Sequence, residues 1–298
     1  MLSTNHLRRR LLLIPLLVGF AVASTLLPSV ASSADAATTT PTCGAAVPKA
    51  SGGYWQCTFA DEFEGTTLDS TKWTAQQTKL SGFVNGPECY VDSPNNVSVS
   101  GGYLNLTARK EAAPFTCLGR TQTQYTSGSV LTAGKFSQAY GRFEVRAKVP
   151  SSAIKGLQET FWLWPDNNKL FGTKWPVNGE IDFAEFYSQY SNLVVPYVHY
   201  VSATKDPNVT SSKCTITPGV FHTYTLEWTT TTMTIMYDGN TCLVDKWTPA
   251  APLTGSAPFN QPFFLNLTQA LGIYTNAFDA NTTQLPATTQ VDYVHIWK

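Results

Sequence analysis

The feature that most restricts the fold of this chain is a succession of short runs rich in Val, Thr, Tyr and Phe, separated by Gly, Pro, Asn and Ser. Runs of this length and composition predict β-strands. Helical periodicity is not sustained over about a dozen residues anywhere, so the pattern predicts an all-β fold. The predicted strands are 96–99, 103–108, 128–131, 141–149, 180–186, 198–202, 221–228, 233–237, 263–268 and 291–297.

Two glycine-containing turns indicate hairpins between neighbouring runs. Asp238-Gly239 follows the run at 233–237, and Gly101-Gly102 precedes the run at 103–108. Pairs of this kind adopt the positive φ angles that two-residue hairpin turns require. Many short strands joined in this way favour a jelly-roll sandwich of two antiparallel sheets, because stacking protects the strand edges.

The first 36 residues predict a signal peptide, so we expect the chain to be secreted. Three arginines at 8–10 precede an apolar run at 11–27, and Ala34-Asp35-Ala36 offers a cleavage site between small residues. A retained membrane anchor is the alternative, but Pro15 interrupts the run, and a bilayer span needs about 20 apolar residues. Residues 37–53 then predict a Thr-, Ala- and Pro-rich arm, and 54–298 a single large domain.

All six cysteines lie beyond the predicted cleavage site, which indicates disulfides in an oxidising compartment. Six cysteines allow 15 pairings. Their order favours nearest neighbours, and a metal site is the alternative, but the chain has no close Cys-x-x-Cys or Cys-His cluster. The expected pairs are Cys43 with Cys57, Cys89 with Cys117, and Cys214 with Cys242.

The charge and aromatic content indicate what kind of partner the chain binds. Charged residues make up 13% and the net charge is zero, so no basic field would attract nucleic acid or an anionic membrane. Aromatic residues make up 12%, with eight Trp and thirteen Tyr. Flat rings pack against the apolar faces of sugars, so we expect a polysaccharide partner. We also expect the protein to be a monomer.

Three acids, Glu180, Asp182 and Glu185, lie within the strand-like run at 180–186. In a regular strand Glu180 and Asp182 share one face and Glu185 points to the other. One β-bulge between Asp182 and Glu185 would bring all three to the same face. The alternatives are a strand face exposed to water and a calcium site formed by the three acids.

Such a group of acids is what a retaining glycosidase requires. One carboxylate attacks the anomeric carbon and a second, about 5 to 5.5 Å away, protonates the departing oxygen. Because like charges this close cannot all ionise, one acid keeps its proton near neutral pH. We expect Glu180 to be the ionised nucleophile and Glu185 the protonated acid/base, with Asp182 hydrogen-bonded to the nucleophile.

Several stretches together with these acids resemble the bulged, laminarinase-like branch of glycoside hydrolase family 16. The resemblance extends over 54–298, and it includes the Glu-x-Asp-x-x-Glu pattern of the acids. Its other matching stretches are 59–63, 68–69, 72–73, 103–109, 141–146, 161–165, 175–176, 221–224, 227–228 and 291–294.

The resemblance implies a jelly roll of two curved antiparallel sheets with a substrate groove across the concave face. It also implies endo-acting hydrolysis of β-glucan, most often at β-1,3 linkages, without a catalytic cofactor and with the acid roles given above. The open alternatives are a mixed-linkage glucan or a galactan as substrate, transglycosylation, and a non-catalytic glucan-binding protein.

The resemblance also implies roles for residues around the acids. Those expected to contact substrate are Trp162, Trp164, Trp175, His199 and, in a loosely matching loop, Glu88. On the bare sequence, His199 is more often an ordinary packed residue. A structural calcium on the convex side is implied as well, with Glu62 and Asp292 at the matching positions, although each could be an ordinary surface acid.

Overall fold

The computed structural model describes residues 41–118, 121–204 and 209–298, so the predicted signal peptide lies outside the described residues. Within them the strands are β1 (Cys57–Asp61), β2 (Thr74–Ala75), β3 (Cys89–Tyr90), β4 (Val97–Ser100), β5 (Tyr103–Cys117), β6 (Thr121–Ser127), β7 (Ser129–Leu131), β8 (Gly141–Lys148), β9 (Leu157–Pro165), β10 (Glu180–Tyr187), β11 (Val194–His199), β12 (His222–Trp228), β13 (Met233–Tyr237), β14 (Asn240–Asp245), β15 (Phe263–Leu271) and β16 (Ala287–Trp297). One helical turn, α1 (Thr78–Ser81), and two 3₁₀ turns, Ser188–Tyr190 and Tyr274–Asn276, accompany them. The predicted all-β class is confirmed.

The described strands form two sheets that make a sandwich. The order in the first is β14-β13-β12-β8-β16-β5-β6-β3, with β1 paired to β16 and β4 paired to β5. The order in the second is β11-β10-β9-β15-β7-β2. The pairing of β3 with β6 is parallel and the other strand pairs are antiparallel.

Alternation along the strands builds the core between the two sheets. In β8, Phe143 and Val145 are buried while Arg142 and Glu144 on the other face are partly exposed. The sheets meet through contacts such as Phe161 against Tyr224, with ring centroids 5.4 Å apart. Each large apolar side chain buried in this way stabilises the fold by about 1.5 to 3 kcal/mol.

Both predicted hairpins are present. Ser100 pairs with Tyr103 across the two glycines, and Tyr237 pairs with Asn240 across the turn that contains Asp238 and Gly239. Gly239 has a φ of 76°, in the left-handed region that favours glycine.

Several predicted strands have different bounds in the structure: the strand expected at 103–108 continues to Cys117, that at 263–268 to Leu271, and that at 291–297 begins at Ala287. The strand expected at 198–202 is Val194–His199, so it shares only two residues with the prediction. Pro196 lies inside β11, and because proline has a low strand propensity, the first half of this strand was not predicted. Proline is tolerated in edge strands because it needs no hydrogen-bonding partner for an N–H group, and β11 is at the edge of its sheet.

The structure contains the three expected disulfides, Cys43–Cys57, Cys89–Cys117 and Cys214–Cys242. The first ties the described part of the predicted arm to β1. The second joins β3 to the end of β5, next to the loop that leads away from α1. The third joins β14 to the segment that follows β11.

Candidate active site

A β-bulge in β10 brings three acids to one face of the six-stranded sheet. Glu180 and Asp182 share this face by ordinary alternation, and the register against β9 and β11 shifts between Asp182 and Glu185. Both residues of the bulge, Phe183 and Ala184, are fully buried in the core. The extra residue returns Glu185 to the face of the other two acids. The bulge predicted from the spacing is therefore present.

The pairing of β10 with β9 identifies the face. Asp182 lies opposite Trp162 and Glu185 lies opposite Thr160. Trp162 and Thr160 are two residues apart on one strand and so point the same way. Leu163, the neighbour of Trp162, is fully buried on the opposite face.

Two residues accommodate the bulge, and a glycine allows the turn into its strand. Pro196 lies between the two residues that pair with Asp182 and Glu185, and it has no N–H group that the irregular ladder would leave unpaired. The hydroxyl of Tyr237, from the other sheet, donates a hydrogen bond of 3.0 Å to the carbonyl of Phe183. Gly179 immediately precedes β10 and has a φ of 79°, and a Cβ atom there would lie 2.6 Å from the ring of Phe259.

The acids line a cleft on this face of the sheet. Its smaller part has a volume of about 130 Å³ and contains all three acids. Its larger part, about 570 Å³, extends from Glu180 across β9, β15 and β7. Four aromatic side chains line the larger part, namely Phe83, Trp162, Trp164 and Phe264.

Burial raises the pKa of Glu180 to about 8, and the nearby charge of Asp182 acts in the same direction. Two neighbours oppose this rise. Trp175 Nε1 donates a 2.5 Å hydrogen bond to Glu180 Oε2, and the charge of a protonated His199 would also stabilise the carboxylate. A pKa of about 8 does not favour the predicted ionised state of Glu180 at pH 7.

Burial also raises the pKa of Asp182 well above its usual range, with a further rise from the charge of Glu185. The pKa of Glu185 is raised by burial, against hydrogen bonds from Tyr187 and Gln158 that lower it. The polar contact of Asp182 is with His199 Nε2, at 3.0 Å, rather than the hydrogen bond to Glu180 that the sequence predicts. When ionised, Asp182 therefore acts on Glu180 through its charge.

Four of the residues expected to contact substrate lie near the acids. Trp162 and Trp164 line the larger part of the cleft. Trp175 holds Glu180 and leaves 58% of its surface exposed. His199 contacts Asp182 and stacks on Tyr197, with ring centroids 4.0 Å apart. Their positions suit binding of a sugar beside Glu180.

Glu88 requires a correction, because the structure places it outside the cleft. It is 1% exposed, and its carboxylate accepts hydrogen bonds of 3.1 and 3.2 Å from the backbone N–H of Gly86. The cavity beside it is separate and is lined by residues such as Val84 and Cys117. Glu88 therefore stabilises its own loop and does not reach a polysaccharide in the cleft.

The residues matched to a calcium site contact a histidine and an arginine. Glu62 Oε1 lies 2.5 Å from His295 Nε2, and the carboxylate of Asp292 pairs with Arg146. The part of the chain that the structure describes has no group of three or more acidic, His or Cys side chains placed to hold a metal. A calcium ion takes six to eight oxygen ligands, which include backbone carbonyls and waters, so the calcium site stays a prediction.

Several residues of the cleft were not predicted from the sequence. Gln158 and Thr160 on β9 and Thr268 on β15 lie beside the three acids. Asn85 and Phe83, on the loop after α1, form another wall of the same part of the cleft. Thr160 and Gln158 lie two and four residues before Trp162, so the alternation of a strand places all three on one face. Their position in the cleft follows once β9 is assigned as a strand.

Comparison with known proteins gives a family match over the whole β domain. A family profile described as "Beta-porphyranase A-D, GH16 domain" matches residues 55–298. Glucan endo-1,3-beta-glucosidase A1 of Niallia circulans is 30% identical over 262 residues, which cover 82% of this chain and 37% of that protein. The beta-glucanase of Rhodothermus marinus is 31% identical over 258 residues, which cover 82% of this chain and 86% of that protein.

The solved structures agree with this match. The endo-beta-1,3-glucanase from Pyrococcus furiosus superposes with a TM-score of 0.70 at 27% identity, over 85% of this chain and 97% of that one. The β-sandwich fold is thus shared with a solved glucanase. The chain belongs to glycoside hydrolase family 16, among its laminarinase-like members.

Proposed function

We propose that this chain is an exported, endo-acting glycoside hydrolase that cleaves β-1,3-linked glucan with retention of configuration. The observation that carries the proposal is the bulge at Phe183 and Ala184, which gives Glu180, Asp182 and Glu185 a common face in one cleft. Similarity to a glucan endo-1,3-beta-glucosidase and to an endo-beta-1,3-glucanase supports the choice of linkage.

The proposed reaction is a double displacement. Glu180 attacks the anomeric carbon while Glu185 donates a proton to the departing glycosidic oxygen, and a covalent glycosyl-enzyme forms. Glu185 then removes a proton from water, which attacks the anomeric carbon and releases Glu180. The raised pKa of Glu185 suits a proton donor near neutral pH.

The state that reacts needs an ionised Glu180 and a protonated Glu185. Since all three acids have raised pKa values, protons are shared among them, and the hydrogen bond from Trp175 favours the ionised form of Glu180. Asp182, when it keeps its proton, adds no negative charge beside the nucleophile.

The lining of the cleft favours a neutral polysaccharide. Aromatic rings supply stacking surfaces, and carboxamides and hydroxyls supply hydrogen bonds. Among the described residues, neither part of the cleft is lined by Lys or Arg. An anionic polymer would meet three acids there, with His199 as the neighbouring basic side chain. We therefore propose that the substrate carries no sulfate or carboxylate groups near the cleavage point.

Export is supported by the disulfides and by the predicted signal peptide. Three disulfides join the six cysteines, and such bonds persist in oxidising compartments. Over the described part of the chain, no helix has the length and apolar character that crossing a membrane requires.

A galactan is the second candidate substrate, since the matching profile is that of β-porphyranases. The test is proton NMR of the first products from laminarin, a mixed-linkage β-glucan and agarose, together with their chain lengths. We expect laminarin to be cut fastest, into short oligosaccharides whose first-formed reducing end is the β-anomer. An α-anomer would exclude retention, products longer than the substrate would indicate transglycosylation, and faster cleavage of agarose would favour a galactan.

A pair of matched variants tests the role of Glu180 as the nucleophile. Glu180→Gln keeps the size and hydrogen-bonding capacity of the side chain but removes the nucleophile, so we expect activity to fall by at least about a thousandfold. Glu64→Gln changes an exposed acid that does not line the cleft and should be as active as the parent. Full activity in Glu180→Gln would exclude Glu180 as the nucleophile.

A further inference from the structure

Two polar side chains that no motif identifies, Tyr187 and Gln158, converge on Glu185. They are direct partners across β10 and β9 in the strand pairing. Tyr187 lies two residues beyond Glu185 and Gln158 two residues before Thr160, the partner of Glu185. Alternation therefore places both side chains on the cleft face, at the end of the group of acids.

Both residues act on the carboxyl group of Glu185. The phenol of Tyr187 donates a hydrogen bond to Glu185 Oε2 at 3.0 Å, and the side chain of Gln158 lies in the same part of the cleft as Glu185 and lowers its pKa. A carboxylate with a fixed donor loses rotational freedom. A donor also stabilises the ionised form.

Asn85 determines which way the amide of Gln158 points. Asn85 Nδ2 donates to Gln158 Oε1 at 3.1 Å and to the backbone carbonyl of Leu271 at 2.9 Å. Because Gln158 Oε1 is engaged as an acceptor, its Nε2 group is the donor that faces the carboxyl group of Glu185 as that group ionises. The chain of contacts thus extends from the loop after α1 to the proposed acid/base.

The loop that carries Asn85 is held at both ends. The hydroxyl of Thr78 donates to the carbonyl of Phe83 at 2.8 Å and accepts from the N–H of Tyr90 at 2.9 Å. The Cys89–Cys117 disulfide closes its far side. Asn85 is therefore presented to Gln158 from a fixed backbone.

We propose that Tyr187 and Gln158 are positioning residues that hold the carboxyl group of Glu185 for its two proton transfers, and that Asn85 orients Gln158. This inference rests on the proposed function, since it needs Glu185 to be the acid/base. The same carboxyl must first give a proton to a glycosidic oxygen and then take one from water. After the first proton transfer, Glu185 is a carboxylate in a buried site. Neutral hydrogen-bond donors stabilise this carboxylate in place of water.

The groups that face Glu185 define what the pH profile reports. Asp182 and Glu180 lie on its own strand, His199 faces it from β11, and Tyr237 lies beneath it on β13. Burial raises the pKa of Glu185, and Tyr187 gives the largest contribution in the opposite direction. Loss of the Tyr187 hydroxyl should therefore raise the pKa of Glu185 further.

The test compares Tyr187→Phe with Tyr190→Phe, an exposed tyrosine of the adjacent turn. We expect Tyr187→Phe to lower kcat about tenfold and to leave KM within about twofold. The alkaline limb of the kcat/KM profile should move upward by about one pH unit, because the variant loses a hydrogen bond to a charged group. Tyr190→Phe should match the parent. Gln158→Leu should give a shift in the same direction, and it serves as the test if Tyr187→Phe does not fold.

An unmoved alkaline limb in Tyr187→Phe and Gln158→Leu would overturn the inference, even if both lose activity. The proposed function is checked separately with Glu185→Ala and a β-glucan oligosaccharide that carries dinitrophenol as leaving group. This substrate needs no protonation, so Glu185→Ala should cleave it at near the parental rate for bond breaking and form a β-glycosyl azide in azide buffer. Failure of that result rejects Glu185 as acid/base whatever the tyrosine variant does.

Discussion

His199 Nε2 lies 3.0 Å from Asp182 Oδ2, and His199 is also the strand partner of Glu180. The imidazole therefore faces two of the three acids. Burial lowers the pKa of His199, against the charges of Glu180 and Glu185, which raise it. His199 is thus mostly neutral at pH 7 and gains a positive charge as the pH falls.

Replacing this histidine should make the enzyme more sensitive to acid. Protonated His199 lowers the pKa values of Glu180 and Glu185, and His199→Gln has no charge to offer at any pH. We expect the ratio of parental to variant kcat/KM to be several-fold larger at pH 5 than at pH 8, because Glu180 in the variant is harder to ionise in acid. The measurement is kcat/KM of a neutral oligosaccharide across this range, and a ratio independent of pH would show that the charge of His199 has no part in the reaction.

A second prediction concerns the bulge and follows from the two-residue period of a strand. Deleting Ala184 leaves Glu180, Asp182 and the former Glu185 at positions i, i+2 and i+4, which share one face without a bulge. We expect the deletion variant to fold, with a lower melting temperature, and to be at least about tenfold more active than Glu185→Gln. Activity no higher than that of Glu185→Gln in a folded deletion variant would mean that the bulge itself, beyond the common face, is required.

The sequence was sufficient to predict this arrangement because the spacing of the acids and the period of a strand are both local quantities. Three acids at 180, 182 and 185 can share a face only if one extra residue lies between the last two. The pairing of the cysteines also followed from their order along the chain. The acid pattern and the disulfides therefore needed no tertiary information.

The neighbours of the acids could not be predicted in the same way. Strand β9 has Leu157, Glu159 and Phe161 facing the interior, and the acid among them breaks the apolar alternation on which a strand prediction depends. Without β9, nothing assigned Gln158 to the cleft. The position of Glu88 depends on how its loop closes on the backbone N–H of Gly86, which no local pattern encodes.

The Cys89–Cys117 disulfide should affect activity as well as stability. It closes a segment with a sequence separation of 28 residues next to the loop of Phe83 and Asn85, so its loss in the Cys89→Ser/Cys117→Ser double variant should lower the free energy of unfolding by about 3 to 4 kcal/mol. We expect kcat/KM to fall as well, because the wall of the cleft loosens. Denaturant unfolding and kinetics on a soluble oligosaccharide measure the two effects.

The double variant Cys43→Ser/Cys57→Ser is the control for that experiment. Its disulfide has a sequence separation of 14 residues and joins the arm to β1, so its loss should lower stability by about 3 kcal/mol and leave kcat/KM unchanged under conditions where the protein is folded. An equal loss of activity in both double variants would mean that global stability, and not the cleft loop, accounts for the effect.

Glu159 lies in the core beneath the site, where it is 3% exposed. Its carboxyl group accepts a 2.6 Å hydrogen bond from Gln269 Nε2, and Gln269 Oε1 accepts in turn from Thr289. Burial raises the pKa of Glu159 to about 8. Between its usual pKa and pH 8 the folded protein therefore binds a proton that the unfolded chain has released, and stability falls as the pH rises through this window.

Glu159→Gln should remove this dependence, because the amide keeps an oxygen for Gln269 and has no proton to lose. We expect its advantage in unfolding free energy over the parent to be smallest near pH 4.5 and to grow by about 1.4 kcal/mol per pH unit toward pH 8. Urea unfolding at several pH values measures it, with Glu64→Gln as the exposed control. A gap between parent and Glu159→Gln that stays constant over this range would mean that Glu159 is already ionised in the folded protein.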